Sequence, residues 1–449
     1  MGDSDLMSVF NVASVPATPI VVGFSGGLDS SVLLHLLANR PQATAPLRAI
    51  HIHHGLHPDA DAWAKHCQDI CAALGVDLVI VNVSVPRDGG KGLEAAAREA
   101  RYAAFSEQLR CGEMLALAHH RDDQAETILL RLLRASASEG LSAMRATRSF
   151  ADGVLWRPLL AIPRTDLQTY AETYRLKWIE DPSNTDDRLD RNFLRQRVLP
   201  TLKQRWPQAT AALARSADLL AEDAALLREE AGKRLAQAQG LDPATLSVAA
   251  LCESSTPWRA RVLRVWIDAL AMPPLPGAAF AIIEKQLLAA RADAEPEYRW
   301  SGHVLRRWRG LLHVETARPA LPTDWRMDWN GSEPLLLPTG DHLRLVGAGM
   351  AAIPGFATET SMAARSIAAM PGPTMYFVSA RHGGERITQS GRGHTQALKK
   401  ILQELGIPPW ERERLPLLFA ADGELLAAGD LVISQRLTRS GMRLSWGRA

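Results

Sequence analysis

The sequence predicts an α/β fold, with a parallel-sheet domain first, a helical domain next and a small α+β domain at the C-terminus. Three observations carry this. Residues 1–135 alternate short runs of Val, Ile and Leu with longer stretches of helical period. The composition turns rich in Ala, Leu, Arg and Glu from about residue 208. The chain has 449 residues, more than one core organises at roughly 150 residues per domain.

Taken in order, residues 20–24, 47–52, 76–83 and 114–118 are too short for helices and rich in Val, Ile and Leu, as strands buried on both faces should be. Each is followed by a stretch with apolar residues three and four apart: 30–39, 60–74, 93–109 and 122–134. Open parallel sheets bind ligands beyond the carboxyl ends of their strands, so the loops after Phe24, His53 and Ala118 should converge on one crevice. Residues 167–202 read as helical, broken by Asp181-Pro182-Ser183-Asn184 and ended by Pro200 and Pro207, which sets a boundary near 205. Residues 206–312 carry helical spacing, for example at 211–227 and 258–270. Residues 313–370 are richer in Pro, Gly, Thr and Met and read as a connecting segment with short strands such as Leu335-Leu336-Leu337; residues 371–449 form the last unit.

Composition excludes several classes. With 47% hydrophobic and 22% charged residues, the chain is neither disordered nor fibrous. Lys+Arg of 51 against Asp+Glu of 49 leaves +2, so a nucleic-acid partner has to be met by a local patch. Four cysteines (Cys67, Cys71, Cys111, Cys252) without a Cys-x-x-Cys pair make no disulfide framework and point to a reducing cytoplasm. Cys67 and Cys71, one turn apart beside Ile70 and Leu74, read as a buried helix face. The start MGDSDLMSVF has acids where an export signal has bases, and no run reaches the ~18 apolar residues of a membrane span. Leu6 and the ending SWGRA give lipid anchoring no support, so neither export nor membrane attachment is expected.

The chemistry centres on Ser25-Gly26-Gly27-Leu28-Asp29-Ser30-Ser31, between the first strand and the first helix. Two glycines permit a tight turn and a close ligand approach, while helix-start N–H groups and Ser hydroxyls present donors to an anion. The motif is neither a Walker A loop nor a dinucleotide fingerprint, and an Asp in this setting suits Mg²⁺ and phosphate. It resembles the PP-loop ATP pyrophosphatase superfamily, marked by Ser-Gly-Gly-x-Asp-Ser. The resemblance implies a Rossmann-like PP-loop domain, ATP held by Ser25, Gly26, Gly27, Leu28, Asp29 and Ser30, and Mg²⁺ on Asp29. It also implies an oxygen activated by adenylation with release of pyrophosphate.

Further stretches narrow the family. His51-Ile52-His53-His54-Gly55-Leu56 closes the second strand, and Arg98 and Arg101 share a face of the third helix. Ala118-His119-His120-Arg121-Asp122-Asp123-Gln124-Ala125-Glu126-Thr127 follows the fourth strand. Asp123 and Glu126, three apart, share a face able to take an ammonium or a metal, and Asp122 stands four before Glu126. Acids that merely complement a helix N-terminus fit the same spacing. Adjacent His119 and His120 point opposite ways on a strand, so one zinc does not take both. Arg188, Arg191, Arg195 and Arg197 form a basic cluster suited to RNA backbone or ATP phosphates, or to a solvated helix face. Between Arg381 and Arg414 nine Lys, Arg or His stand against four acids, with Trp410 interleaved.

These stretches, with Arg131-Leu132-Leu133-Arg134, Gly140-Leu141-Ser142-Ala143-Met144, Arg157-Pro158-Leu159-Leu160 and Arg191-Asn192-Phe193-Leu194-Arg195, are similar to the tRNA(Ile)-lysidine synthetase family. Arg381-His382-Gly383-Gly384-Glu385-Arg386-Ile387 and Ile407-Pro408-Pro409-Trp410 resemble its C-terminal domain. One departure is Ala135, where the family has Gly. The resemblance implies catalytic roles for Asp29, His120 and Arg98, lysine binding by Asp123 and Glu126, and tRNA binding by Arg191, Arg195, Arg381, Arg386, Lys399, Lys400 and Arg412. The implied partners are tRNA(Ile) with a CAU anticodon and free L-lysine, with ATP and Mg²⁺ consumed or required and no membrane; a homodimer stays open. Rival readings are a PP-loop tRNA 2-thiolase, which needs thiolates or an iron–sulfur cluster, and a tRNA-binding protein without catalysis.

Overall fold

A computed structural model describes residues 18–40, 45–86, 93–291, 294–347, 375–389 and 394–448. The readings made on MGDSDLMSVF and on most of the 348–374 stretch lie outside the described residues. The chain divides into two compact units, 1–230 and 231–449. Among the described residues no helix is long and apolar enough to cross a membrane.

The first unit is built on six strands: β1 (Ile20–Gly23), β2 (Leu47–His53), β3 (Asp77–Asn82), β4 (Met114–Ala116), β5 (Thr147–Phe150) and β6 (Gly153–Trp156). Their order is β3-β2-β1-β4-β6-β5, parallel except for the β5–β6 hairpin. Val21 and Val22 are both fully buried although they point to opposite faces, which is why β1 is apolar without alternation. One core, with Ile20, Val22, Ala49, Cys67, Cys71 and Leu167, lies on one face; Val21, Ile50, Phe105, Leu115 and Leu155 fill the other. The covering helices are α1 (Leu28–Ala38), α2 (Ala60–Leu74), α3 (Leu93–Gln108), α4 (Arg121–Leu133) and α5 (Arg164–Thr173). α1 is apolar nearly all round because it packs between the sheet and α5.

Two departures from the sequence reading have physical causes. The β5–β6 hairpin was not expected, because Thr-Arg-Ser-Phe on an exposed edge has no apolar run. Gly153 lets β6 close on β4: a Cβ there would lie 2.2 Å from the Glu113 carbonyl oxygen. The 167–202 stretch is broken as expected, but Pro200 lies within its last helical segment instead of ending it. α5 stops at Thr173, with Arg175 in the left-handed region (φ 50°), and helix resumes only at Asp190–Phe193, running through a π turn at Leu194–Val198 into Leu199–Arg205.

Helix α6 (Ala209–Ala238) spans the division between the units. The second unit opens with an antiparallel sheet of β7 (Thr245–Ser247), β8 (Glu297–Trp300), β9 (His303–Trp308) and β10 (Leu311–Thr316), ordered β7-β10-β9-β8. It packs against α7 (Thr256–Ala269) around the fully buried Trp266. Strands therefore occupy the end of a stretch that spacing marks as helical. His-Val-Leu-Arg-Arg-Trp shows no period-2 pattern, because both arginines are held by hydrogen-bond partners of their own, Arg306 by Glu297 and Arg307 by the Leu287 carbonyl. The C-terminal part holds a five-stranded antiparallel sheet of Arg326–Trp329, Tyr376–Ser379, Leu417–Ala420, Leu425–Ala428 and Val432–Ile433. Beside it lie α8 (Leu398–Glu404) and α9 (Pro409–Arg414).

Candidate active site

Strand order reverses about β1, so the loops after β1 and β4 open on one crevice at their carboxyl ends. From β1 the chain turns through Ser25, Gly26 and Gly27 into α1, whose start no side chain caps. Gly26 is required twice over: its φ is +81°, and a Cβ would lie 2.7 Å from Ile179 Cδ1 and 2.9 Å from Cys67 Sγ. At Gly27 a Cβ would meet only Ser25 Oγ at 3.6 Å and the Ile179 oxygen at 3.9 Å, so the protein itself leaves that space open. The hydroxyls of Ser25 and Ser30 are 3.0 Å apart, and Ser30 donates to the Gly27 carbonyl at 3.0 Å. An uncapped helix start with two hydroxyls and an open backbone is an anion cradle.

The loop after β4 brings two histidines with opposite surroundings. His119 accepts from Arg157 Nε at 3.3 Å; burial, with Arg157, Arg101 and Arg191 nearby, overrides Asp123 and holds its pKa down at about 3, so it is neutral. His120 is buried with Nε2 3.6 Å from Asp29 Oδ2 and 3.5 Å from Asp123 Oδ2, and Nδ1 4.0 Å from Asp122 Oδ2. Burial alone would lower its pKa, but Asp29, Asp123 and Asp122 outweigh it and raise it. The His120 Nδ1 makes no hydrogen bond.

Helix α4 begins here, the His120 N–H donating to Asp123 Oδ2 at 3.0 Å. Asp123 and Glu126 face the same way, and what occupies them is Arg195: Nε to Glu126 Oε1 at 2.6 Å, Nη2 to Glu126 Oε2 and Asp123 Oδ1 at 3.1 Å each. Arg191 stands 3.8 Å from Glu126 and donates to Thr127 Oγ1 at 3.1 Å. Glu126 is completely buried, and burial raises its pKa despite Arg195; at Asp123 the nearby histidines and Arg195 overcome burial and lower it. Asp122 does not pair with Glu126 but takes Lys203 at 2.9 Å and the Arg164 N–H at 3.0 Å.

The fold therefore gathers Ser25, Ser30, Asp29, His120, Asp123, Glu126, Arg191 and Arg195. Arg98 lies apart from the carboxylates. Its guanidinium sits 4.9 Å over the Tyr102 ring, beside Arg101 and Arg148, and Arg157 joins Tyr102 to His119. In the second unit Arg381 is 3.4 Å from Glu385, Arg386 donates to the Thr395 oxygen at 3.0 Å and Lys400 is 3.9 Å from Glu404. Lys399 is exposed, and Arg412 donates to the Ile407 oxygen at 2.7 Å. Sequence reasoning missed Arg164, 3.9 Å from Asp29 Oδ1, as well as Lys203 and Arg148. Nothing in their spacing marks them, since they reach the site from elements distant in the chain.

Cys67 and Cys71 are buried free thiols in the core, as the helix-face reading expects; burial pushes their pKa values up to about 12 and about 11. No group of three or more His, Cys, Asp or Glu among the described residues has the arrangement of a metal cluster. Asp29 Oδ1 is nonetheless buried without a hydrogen bond, with Arg164 Nε 3.9 Å away. That fits a cation shared with a phosphate, which needs only one or two protein carboxylates.

Comparison with known proteins places these features. Residues 5–202 match the family model of a PP-loop domain, residues 246–313 that of a TilS substrate binding domain, and residues 377–446 that of a TilS substrate C-terminal domain. The tRNA(Ile)-lysidine synthase of Xanthomonas axonopodis pv. citri is 52% identical over 427 residues, covering 94% of this chain and 92% of that protein. The one from Xylella fastidiosa is 49% identical over 425 residues, covering 94% and 92%, and that of Yersinia pseudotuberculosis 43% over 435 residues, covering 93% and 92%. With half its residues identical across nearly the whole length, and with the cradle and acidic helix meeting at one switch point, the chain belongs to the tRNA(Ile)-lysidine synthase family.

Proposed function

We propose that this protein joins L-lysine to C2 of cytidine 34 in the CAU anticodon of tRNA(Ile), consuming ATP and forming lysidine. The observation that carries the reading is the meeting of an uncapped helix start and Asp29 with the His120, Asp123 and Glu126 group. In the first step the cytidine O2 attacks the α-phosphorus of ATP and pyrophosphate leaves. In the second the lysine ε-amine attacks C2, the C2–O bond breaks and AMP departs with that oxygen. Lysidine pairs with A instead of G, which changes the codon read from AUG to AUA and the charged amino acid from Met to Ile.

The residues divide the work by charge. Ser25, Ser30 and the free N–H groups of α1 hold ATP phosphates. Asp29 is the residue that would hold Mg²⁺, which when bound neutralises phosphate charge. His120, whose protonated form is favoured by the three carboxylates around it, is suited to hold a phosphate oxygen or give a proton. Asp123 and Glu126 supply negative charge for the lysine ammonium; Asp123 is the more accessible, while Glu126 acts through Arg195 from a fully buried position. Holding amine and C2 in attack geometry supplies much of the remaining rate. Arg191, Arg386, Lys399, Lys400 and Arg412 are proposed to meet tRNA phosphates, with Arg98 at the edge of the crevice. Cysteines held as buried thiols do not favour sulfur transfer.

The test is incorporation of radiolabelled lysine into a tRNA(Ile) transcript with the CAU anticodon, with and without ATP, and elongator tRNA(Met) as control. ATP-dependent label on tRNA(Ile) alone is the expected result. AMP release with another tRNA or a sulfur donor, and no label, overturns the lysine assignment.

A further inference from the structure

The second unit contains two kinds of arginine. Arg306 and Arg414 are buried and paired with carboxylates: Arg306 bonds Glu297 at 3.0 Å and also Glu315, while Arg414 bonds Glu315 at 3.0 Å through both Nη atoms and Glu411 at 2.9 Å. Aromatic packing of Trp410 on Trp308 and His313, with Arg306 over the Trp410 ring at 4.9 Å, completes this junction of the β7–β10 sheet and α9. At its edge the pattern changes. Arg309, Arg412 and Lys399 form no ion pair with any carboxylate among the described residues.

Geometry puts these three together. Arg309 donates to the Gln403 carbonyl at 3.2 Å, and Arg412 to the Ile407 carbonyl at 2.7 Å, so both grip the short turn after α8 from its two ends. Lys399 stands one helical turn before Gln403, on the same face of α8. The Arg309 guanidinium also lies 4.6 Å over the Trp308 ring, which holds it flat. Its backbone is equally constrained: Trp308 pairs with Leu311 across a two-residue turn, with Arg309 at φ 47° and Gly310 at φ 76°. Such turns favour Asn at the first position, so the side chain found there is not one the turn selects. Burial, with Arg381 and Arg309 nearby, lowers the Arg412 pKa, and Glu295 offsets only part of it.

We propose that Arg309, Arg412 and Lys399 form a seat for a phosphodiester of the RNA backbone, spanning the β9–β10 hairpin and the C-terminal domain. Unpaired guanidinium groups fixed at the ends of one turn present several N–H donors in a preset geometry, which is what a phosphate requires. Recognition of this kind is blind to base sequence and serves to position the RNA. The inference rests on the tRNA-modifying reading.

Arg309→Asn tests it, because Asn removes the charge and suits the turn. Binding of the tRNA(Ile) transcript is measured by anisotropy from 50 to 300 mM KCl, with thermal melting alongside. The expected result is roughly three- to tenfold weaker binding and a salt slope reduced by about one. The melting temperature should hold or rise, KM for ATP and lysine should not change, and Arg309→Lys should keep the slope. An unchanged slope in Arg309→Asn overturns the seat, and a fallen melting temperature with that same slope shows that Arg309 only braces the hairpin. If the unaltered protein binds no tRNA(Ile), the functional reading itself fails and the seat with it.

Discussion

The crevice of the first unit and the junction of the second are both buried meetings of charge, and they differ in how completely the charges are used. At the junction the Nη atoms of Arg414 make four hydrogen bonds between 2.9 and 3.1 Å, and only its Nε is left without one. At the crevice His120 approaches three carboxylates at 3.5, 3.6 and 4.0 Å, and its Nδ1 and Asp29 Oδ1 have no hydrogen bond. A network whose carboxylates are bonded directly to its guanidinium groups holds elements together. One whose charges stand at 3.5 to 4.0 Å around a buried spare acceptor is prepared for something not yet bound.

If that contrast is right, changes on the two sides should separate catalysis from stability. The largest effect is expected for Asp29→Ala, with ATP-dependent adenylation, followed as pyrophosphate release, falling about 10³-fold or ~4 kcal/mol. Affinity for tRNA should be nearly unchanged; a strong loss of it would break the division. Next comes Glu315→Ala, which takes one carboxylate partner from each of Arg306 and Arg414 and should lower unfolding stability by about 3 kcal/mol. Denaturant melts check this, and KM for lysine well below the melting point should not move.

A smaller effect sharpens the crevice itself. Glu126→Gln keeps the shape but halves the acid pair, so KM for lysine should rise about tenfold and more than KM for ATP, near 1.4 kcal/mol. Equal rises would assign Glu126 to the nucleotide side. The smallest concerns a saturated pair in the first unit. Glu113 accepts from Arg48 Nε at 2.9 Å and the Arg110 N–H at 2.8 Å, and these overcome burial to hold its carboxyl below the ordinary range. Its contribution is therefore full above the unfolded carboxylate pKa and fades as pH falls through the lower folded one. In acid-unfolding curves Glu113→Gln should flatten this dependence below about pH 4.5.

Much of the first unit was legible in the sequence. β1 to β4 and α1 to α4 fall within a few residues of the periodic stretches, because a strand buried on both faces and a helix with one buried stripe each leave a one-dimensional record. The β5–β6 hairpin and the β7–β10 sheet left none, since their residues are held by partners and not by a repeating apolar pattern. Within the site, Ser25 to Ser30 and His120 to Glu126 could be found because a turn and a helix start need particular residues at fixed spacing.

What each residue touches was a separate matter. Spacing joined Asp122 to Glu126, whereas the fold gives Asp122 to Lys203 and Glu126 to Arg195, 69 residues further along the chain. The resemblance implied RNA contact for Arg195, whose guanidinium the fold sets against the acid pair; Arg309, which no motif includes, was placed beside Arg412 only by the junction. The sequence by itself determined the family, the strand–turn–helix cradle and the sign of each charge. The tertiary structure alone decided which charges are spent on one another and which remain for a ligand, because pairing depends on distances across the core that no local period records.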